Sequence, residues 1–238
     1  YPVQLCLNPL IGAIAAGNTS ILKPSEWAPE VASVLTNMLQ AYFSDEYIAI
    51  VNGDANVSAK LVELDVDYIF FTGSTSIGKL IAESAGKRLI PSTLELGGKS
   101  PCIVDGTADL EVTAKRIVWG KFLNAGQTCV APDYVLVEKG IKQELIEKIN
   151  TVIERFYGLD TAGSDDYPRI ISDRHFRRLV NFLNSQDVVV EAGGHHDRDE
   201  RFLSPTLVSL KNLDTPLMQE EIFGPILPII GYDTLEEL

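Results

Sequence analysis

The sequence is poor in the residues that build disulfide frameworks and metal sites. Its 238 residues include only 3 cysteines and 3 histidines. The cysteines Cys6, Cys102 and Cys129 are odd in number and widely spaced, and no CxxC pair occurs. No His/Cys/carboxylate group has the spacing of zinc ligands, so we expect no metal. This cysteine usage argues against a disulfide-stapled secreted scaffold and favours a reducing, cytoplasmic compartment.

Positive charge is also scarce. The chain carries 20 Lys and Arg residues against 33 Asp and Glu residues, which gives a formal net charge of −13. No long block of consecutive Lys and Arg residues occurs. These features argue against a nucleic-acid-binding groove and against binding to an anionic membrane surface.

Long apolar runs are missing as well. No run reaches the roughly 18 residues that a membrane-spanning helix requires. Residues 5–16 are apolar, but Asn8, Pro9 and Gly12 interrupt them. We therefore expect no membrane segment in this chain. Because the sequence begins with Tyr1 rather than Met, we expect it to be an internal segment of a longer protein.

The main positive feature of the chain is an alternation of strand-like and helix-like segments. A hydrophobic content of 45% and a charged content of 22% are ordinary for a soluble globular protein. The patterns predict strands at residues 19–24, 47–51, 67–71, 102–104, 134–138, 187–191 and 226–230, and helices at residues 1–16, 25–43, 59–64, 77–85, 109–122, 141–157 and 173–185. The alternation predicts an α/β protein, with a parallel sheet covered on both faces before residue 95. The Gly97-Gly98 step predicts a boundary between two α/β lobes, residues 1–97 and 98–238.

One glycine-rich turn could bind phosphate. Gly73, Ser74 and Gly78 belong to a segment that follows the third predicted strand and opens a helix, where backbone N–H groups attract anions. The segment lacks the GxGxxG fingerprint. With Lys79 it approaches a P-loop, but Leu80 stands where a Mg²⁺-binding Ser or Thr is required. By itself the turn is equally consistent with a tight structural connection.

Two charged residues follow the first predicted strand. Lys23 and Glu26 lie at the carboxyl edge, where open α/β sheets bind ligands, and both side chains could hydrogen-bond ribose hydroxyls. A simple ion pair at the strand end is the alternative.

Cys129 and Glu95 are the candidate reactive residues. Cys129 lies in a turn between an apolar helix and an apolar strand, so it is held in place and can still meet a substrate. An inert core cysteine is the alternative. Glu95 alternates with leucines just before two glycines that allow a close backbone approach. A solvent-facing carboxylate is the alternative there.

Read together, these segments resemble a known family. Residues 93–101 (TLELGGKSP) and 121–134 (KFLNAGQTCVAPDY) closely resemble the glutamate and cysteine signatures of the NAD(P)-dependent aldehyde dehydrogenase superfamily, at the family's spacing. The second run is most similar to the class 3, or fatty aldehyde dehydrogenase, branch. Residues 73–78 resemble the family's GSTxxG turn, and residues 220–225 resemble its EEIFGP motif.

The resemblance implies a partial aldehyde dehydrogenase fold. Residues 1–97 would form part of a Rossmann-like, open-sheet dinucleotide-binding domain, and residues 98–238 a second α/β catalytic domain that is truncated at its C-terminus. It also implies oxidation of an aldehyde to a carboxylic acid, in which Cys129 forms a thioester and Glu95 activates water. Medium- or long-chain aliphatic or aromatic aldehydes are the substrates of this branch.

The resemblance further implies the cofactor, its contacts and a homodimer. We expect NAD, with NADP as the alternative. The cofactor-binding residues would be Lys23 and Glu26 at the adenosine ribose, Gly73, Ser74 and Gly78 at the pyrophosphate, Glu221 at the nicotinamide ribose and Phe223 against the nicotinamide ring.

Two other readings remain open from the sequence. In family members the second oxyanion donor is an asparagine just before the Tyr-Pro with which this chain begins, so the chain does not contain it. A relative that binds nucleotide without catalysis is therefore one alternative. The other is an acylating dehydrogenase that transfers the thioester to coenzyme A, although such relatives typically lack the glutamate at the position of Glu95.

Overall fold

A computed structural model describes residues 1–238, and the chain divides into two compact units, Tyr1–Leu96 and Gly97–Leu238. The first unit contains α1 (Pro2–Ala15), β1 (Ser20–Leu22), α2 (Pro29–Tyr42), β2 (Ile48–Ile50), α3 (Ala55–Val62), β3 (Ile69–Gly73), α4 (Thr75–Lys87) and β4 (Ser92–Leu96). The second contains β5 (Pro101–Val104), α5 (Leu110–Phe122), β6 (Tyr134–Glu138), α6 (Lys142–Tyr157), α7 (Asp173–Leu183), β7 (Val188–Ala192), β8 (His196–Asp197), β9 (Phe202–Leu203), β10 (Thr206–Leu210), α8 (Pro216–Gln219) and β11 (Ile226–Tyr232). Short 3₁₀ turns lie at Leu123–Gly126, Lys139–Ile141, Thr161–Gly163 and Leu235–Glu237.

The first unit alternates strand and helix as its sequence predicts. β1 pairs with β2 and β3 with β4, and both pairs are parallel. A small hydrophobic core joins α1 and α2 to β2. Its buried residues are Leu10, Leu39 and Ile48. The helix predicted at residues 59–64 begins earlier, at Ala55, because the Asp54 carboxylate caps it by accepting hydrogen bonds from two backbone N–H groups of the first turn.

The second unit is built on a five-stranded sheet in the order β5-β6-β11-β10-β7. The first four strands are parallel to one another, and β7 runs antiparallel to β10 at the edge. The core between the sheet and its helices consists of aliphatic and aromatic side chains, among them Val118, Phe122, Val135, Val137, Leu145, Ile149, Leu207 and Ile226. Each such side chain contributes about 1.5–3 kcal/mol when it is removed from water. α5 and β6, the two elements that flank Cys129, are therefore held firmly by the core.

Two features of the second unit were not predicted. β10 lies in the interior of the sheet and is buried, yet Pro205 just before it makes the segment look like a connection. The polar run at residues 193–201, for which no strand was predicted, contains β8, which pairs with β9 in a separate, short antiparallel sheet. None of the helices in either unit is long and apolar enough to cross a membrane.

Candidate active site

Cys129 lies in an irregular connection between α5 and β6. After α5 ends at Phe122, three successive residues, Asn124, Ala125 and Gly126, have positive φ angles of 54°, 51° and 72°. A non-glycine residue in this left-handed region costs on the order of 1 kcal/mol, so surrounding contacts must hold the turn. The turn reverses the chain and leaves the Cys129 side chain exposed, while Ala125 and Gly126 are buried.

The amide side chains of the cysteine motif provide part of that hold. The Asn124 side chain donates to the backbone oxygen of Gln127 at 3.0 Å, and the Gln127 side chain donates back to the oxygen of Asn124 at 3.0 Å. The Gln127 side chain also donates to the oxygen of Arg169 at 3.2 Å and accepts from the N–H of Ile171 at 2.9 Å. These bonds fix the turn before Cys129 to the segment that leads into α7.

Gly126 allows the cysteine turn to touch the segment at residues 220–225. A Cβ atom at Gly126 would lie 2.3 Å from the backbone oxygen of Gly224, so any side chain would separate the two segments. The fold of the second unit therefore places the turn of Cys129 directly against the motif that contains Glu221 and Phe223.

Glu221 lies against the paired glycines that follow β4. A Cβ atom at Gly97 would be 1.8 Å from the Glu221 Oε2 atom, which explains the glycine at this position. Glu221 is half-buried, and burial raises its pKa, although the backbone N–H of Gly98 acts in the opposite direction. Phe223 has a positive φ of 50° and is, after Asn124 and Ala125, the third strained non-glycine residue in this region.

Side chains of α7 hold the backbone around Phe223. The Nε2 atom of His175 lies 2.6 Å from the Phe223 oxygen, and Arg178 donates to the Glu221 oxygen at 3.0 Å and to the Ile222 oxygen. Burial lowers the pKa of His175 to about 4, so the ring is neutral at pH 7 and donates its Nε2–H to the carbonyl. Sequence reasoning placed His175 in a helix and assigned no role to either residue.

Two lysines, one partly and one fully buried, also belong to this region, and the sequence pattern does not indicate their burial. Lys99 forms an ion pair with Asp133, which is only 3% exposed. Lys121, in α5, is fully buried, and no protein group lies within hydrogen-bonding distance of its Nζ atom. Burial lowers its pKa to about 8. The burial of these two side chains is visible only in the structure, because lysines usually lie on the surface.

In the first unit, Glu95 and the glycine-rich turn share one sheet edge. Thr72 of β3 lies opposite Glu95 of β4, and Gly73 lies opposite Leu96. Because the strands are parallel, their carboxyl ends meet, and the exposed Glu95 lies beside the start of the turn. This is the edge at which α/β sheets bind ligands.

The glycine-rich turn opens α4 as predicted. Ser74 is the N-cap of the helix, and its hydroxyl accepts from the N–H of Ile77 at 3.4 Å. Gly78 has a different explanation. It is buried, and a Cβ atom there would lie 2.6 Å from a methyl group of Leu96, so this glycine is required for close packing of α4 against β4.

Lys23 and Glu26 form the ion pair that was the alternative reading at the end of β1. The Lys23 Nζ atom lies 2.9 Å from Glu26 Oε2 and 3.0 Å from the Pro24 oxygen. Burial tends to raise the pKa of Glu26, but the hydrogen bond from Lys23, a backbone hydrogen bond and the Lys23 charge together outweigh it, so the pKa is lowered. Glu26 also lines an open cavity of about 400 Å³, together with Ser25, Ser33, Thr36, Asn52 and Gly53.

Each unit thus has an α/β fold, with Glu95 at a sheet edge of the first and Cys129 on a turn of the second. The profile of the aldehyde dehydrogenase family matches residues 1–238, and the chain belongs to that family.

Similar curated proteins confirm the resemblance to the class 3 branch. The chain is 49% identical over 237 residues to the 4,4'-diaponeurosporen-aldehyde dehydrogenase of Staphylococcus aureus, covering 100% of this chain and 52% of that protein. It is 45% identical over 237 residues to the mouse aldehyde dehydrogenase named dimeric and NADP-preferring (100% and 52%) and to mouse aldehyde dehydrogenase family 3 member A2 (100% and 49%). The chain therefore spans about half the length of these relatives.

Solved structures share the fold. A substrate-bound Staphylococcus aureus AldH superposes with a TM-score of 0.95 at 49% identity, covering 100% of this chain and 52% of that one. A Mycobacterium tuberculosis aldehyde dehydrogenase complexed with NAD+ superposes with a TM-score of 0.87 at 29% identity, covering 99% and 50%. These similarities confirm the aldehyde dehydrogenase fold over the part of it that this chain contains.

Proposed function

We propose that the protein containing this chain oxidises an aldehyde to the carboxylic acid. The observation that carries the proposal is the exposed Cys129 on a buried, strained turn, packed against the segment of Glu221. A rigid turn that presents a thiol to solvent suits a nucleophile, because little reorganisation is needed when the substrate arrives. Membership in the aldehyde dehydrogenase family supports the assignment of the reaction.

In the proposed mechanism, Cys129 attacks the aldehyde carbon as a thiolate and forms a covalent adduct. The backbone N–H of Cys129, with one further donor, stabilises the oxyanion. A nicotinamide cofactor held by Glu221 and Phe223 would supply the hydride acceptor, and loss of hydride from the adduct would leave an acyl group on the Cys129 sulfur. Glu95 then takes a proton from water, the water attacks the thioester, and the acid leaves as the thiol is restored.

We propose NAD as the cofactor, with NADP also accepted, and assign its binding to both units. Residues 1–97 would supply Lys23 and Glu26 for the ribose and the N-terminus of α4, with Gly73, Ser74 and Gly78, for the pyrophosphate. Residues 98–238 would supply Glu221 and Phe223 for the nicotinamide end. The open cavity that Glu26 lines supports a ribose position at the end of β1.

An apolar aldehyde suits the surface next to the cysteine turn. Trp119 in the last turn of α5 and Leu123 just after the helix are 62% and 40% exposed, and Val130, next to Cys129, is 78% exposed. Exposed apolar groups beside a nucleophile favour an apolar substrate. We therefore propose medium- or long-chain aliphatic or aromatic aldehydes, consistent with the aldehyde named in the Staphylococcus aureus relative.

We further propose a cytoplasmic homodimer. The 3 cysteines are all unpaired, as expected in a reducing compartment, and one mouse relative is named dimeric. Light scattering of the purified protein tests the assembly, and a monomer at micromolar concentration would contradict it.

The test of the proposed reaction is NADH formation, followed at 340 nm, by the longest natural polypeptide that contains this sequence. With NAD and a medium-chain aldehyde we expect turnover that Cys129→Ala abolishes and that Cys102→Ala, a matched control on β5, preserves. NADH that forms only when coenzyme A is added would support the acylating alternative. NAD binding without NADH formation from any aldehyde would contradict the proposed activity.

A further inference from the structure

One buried ion pair contacts three of the sequence motifs in the second unit. β5 and β6 pair in parallel with Pro101 opposite Tyr134, so the residues just before both strands are neighbours. The N–H of Asp133 accordingly donates to the Ser100 oxygen at 2.8 Å, and the Lys99 ammonium pairs with the Asp133 carboxylate. The two side chains are 20% and 4% exposed, so solvent screens this pair weakly.

The same ion pair holds both peptide groups that flank Glu221. The Lys99 Nζ atom donates to the backbone oxygen of Glu220 at 3.1 Å, and Asp133 Oδ1 accepts from the N–H of Ile222 at 2.9 Å. Lys99 also donates to the oxygen of Leu217 at 3.0 Å, at the other end of the turn. Fixing both peptide planes around one residue fixes the direction in which its side chain leaves the backbone.

In this orientation the Glu221 carboxylate contacts Gly97, which lies two positions before Lys99 in the sequence. The segment that contains Lys99 therefore also packs against the Glu221 carboxylate. We propose that Lys99 and Asp133 are positioning residues for Glu221, and that they act on cofactor binding by orienting its carboxylate rather than by touching the cofactor. This inference rests on the proposed role of Glu221 at the nicotinamide ribose.

A purely stabilising role is a weaker explanation of the pair. Desolvation of two charges offsets most of their attraction, so a buried ion pair is often no better for stability than apolar side chains of equal volume. Lys99 and Asp133 provide directed hydrogen-bond donors and acceptors to a segment that contains the strained Phe223. Two apolar side chains could not provide these hydrogen bonds.

The experiment measures the dissociation constant of NAD by fluorescence titration, without turnover. Lys99→Met keeps the side-chain length and removes the donors, whereas Asp133→Asn keeps an acceptor for Ile222 and removes the charge. Each is made alone and combined with Glu221→Ala. Lys139→Met, which breaks an exposed ion pair with Asp233 in the same unit, is the control. Hydrogen exchange of the peptide covering residues 217–223 is measured in parallel.

We expect each single variant to weaken NAD binding about tenfold, the effect of losing charge-assisted hydrogen bonds. Neither should weaken it further in the Glu221→Ala background, and exchange of the 217–223 peptide should become faster. If Glu221→Ala weakens binding but Lys99→Met and Asp133→Asn do not, or if their effects add to that of Glu221→Ala, the positioning role is refuted.

The two proposals can fail separately. If the unsubstituted protein binds no NAD, the proposed cofactor is wrong, and unchanged exchange of the 217–223 peptide would then overturn the positioning role on its own. If Lys99→Met does not fold, Asp133→Asn, which is nearly isosteric, decides the result.

Discussion

Replacing Lys121 by methionine should stabilise the protein at neutral pH. Its Nζ atom is fully buried, and no protein group lies within hydrogen-bonding distance of it. Burial, reinforced by Lys99 and opposed by Asp133 and Glu221, lowers its pKa from 10.5 to about 8. At about 1.4 kcal/mol per pH unit, that difference corresponds to about 3 kcal/mol of destabilisation while the amine is charged. Methionine fills a similar volume with an unbranched, uncharged chain.

The contribution of Lys121 to the free energy of unfolding depends on pH. Between pH 8 and 10.5 the unfolded chain keeps the Lys121 proton and the folded chain has lost it. Folding therefore releases a proton, and the contribution of Lys121 to stability improves as the pH rises through this window. Below pH 8 the penalty is fully present. The advantage of Lys121→Met should thus be greatest, up to about 3 kcal/mol, at pH 7 and should shrink toward zero near pH 10.

Urea unfolding of both proteins at intervals from pH 6 to pH 10, followed by circular dichroism and tryptophan fluorescence, measures this difference. Lys115→Met, an exposed lysine of the same helix, is the control and should change stability by less than about 0.5 kcal/mol at every pH. A Lys121→Met protein that is less stable than the unsubstituted one, or whose advantage does not vary with pH, would refute the reasoning.

Two further predictions concern the cysteine turn. Gly126→Ala should destabilise the protein by about 2 kcal/mol or more, because φ is 72° and the new Cβ would lie 2.3 Å from a backbone oxygen. Gly140→Ala, where nothing lies within 4 Å, should be nearly neutral in the same thermal unfolding assay, and equal effects would contradict the close approach. Iodoacetamide at neutral pH should label the exposed Cys129 at least about tenfold faster than Cys6 and Cys102, whose pKa values burial raises. Equal labelling rates, read by peptide mass spectrometry, would contradict an accessible thiol.

The sequence predicts those parts of the fold that local patterns determine. The helix predicted at residues 109–122 is observed as α5, and the strand predicted at residues 134–138 is β6. Both follow from apolar periodicity within a single element. β10 was not predicted, because its place in the sheet interior depends on pairing with β11 and β7 rather than on its own sequence.

Local sequence motifs likewise indicate some residues of the candidate site and not others. Cys129 and Glu95 could be proposed from the sequence because each lies in a short, specific motif. The proposed roles of Lys99 and Asp133 depend on contacts with Glu220 and Ile222, which lie 121 and 89 residues away in the sequence. Such contacts leave no periodicity in a single sequence, and a lysine in a glycine-rich run looks like a surface charge. Long-range polar contacts of this kind require the three-dimensional structure.

The most direct test of the central claim is to trap the acyl group on Cys129. The Glu95→Gln protein, which should form the thioester but hydrolyse it slowly, is mixed with NAD and a medium-chain aldehyde, quenched in acid and digested. We expect the peptide that contains Cys129 to gain the mass of the acyl group only when NAD is present, and the peptides of Cys6 and Cys102 to remain unmodified. If a burst of NADH forms while the Cys129 peptide keeps its free-thiol mass, Cys129 does not carry the acyl group and the proposed mechanism is wrong.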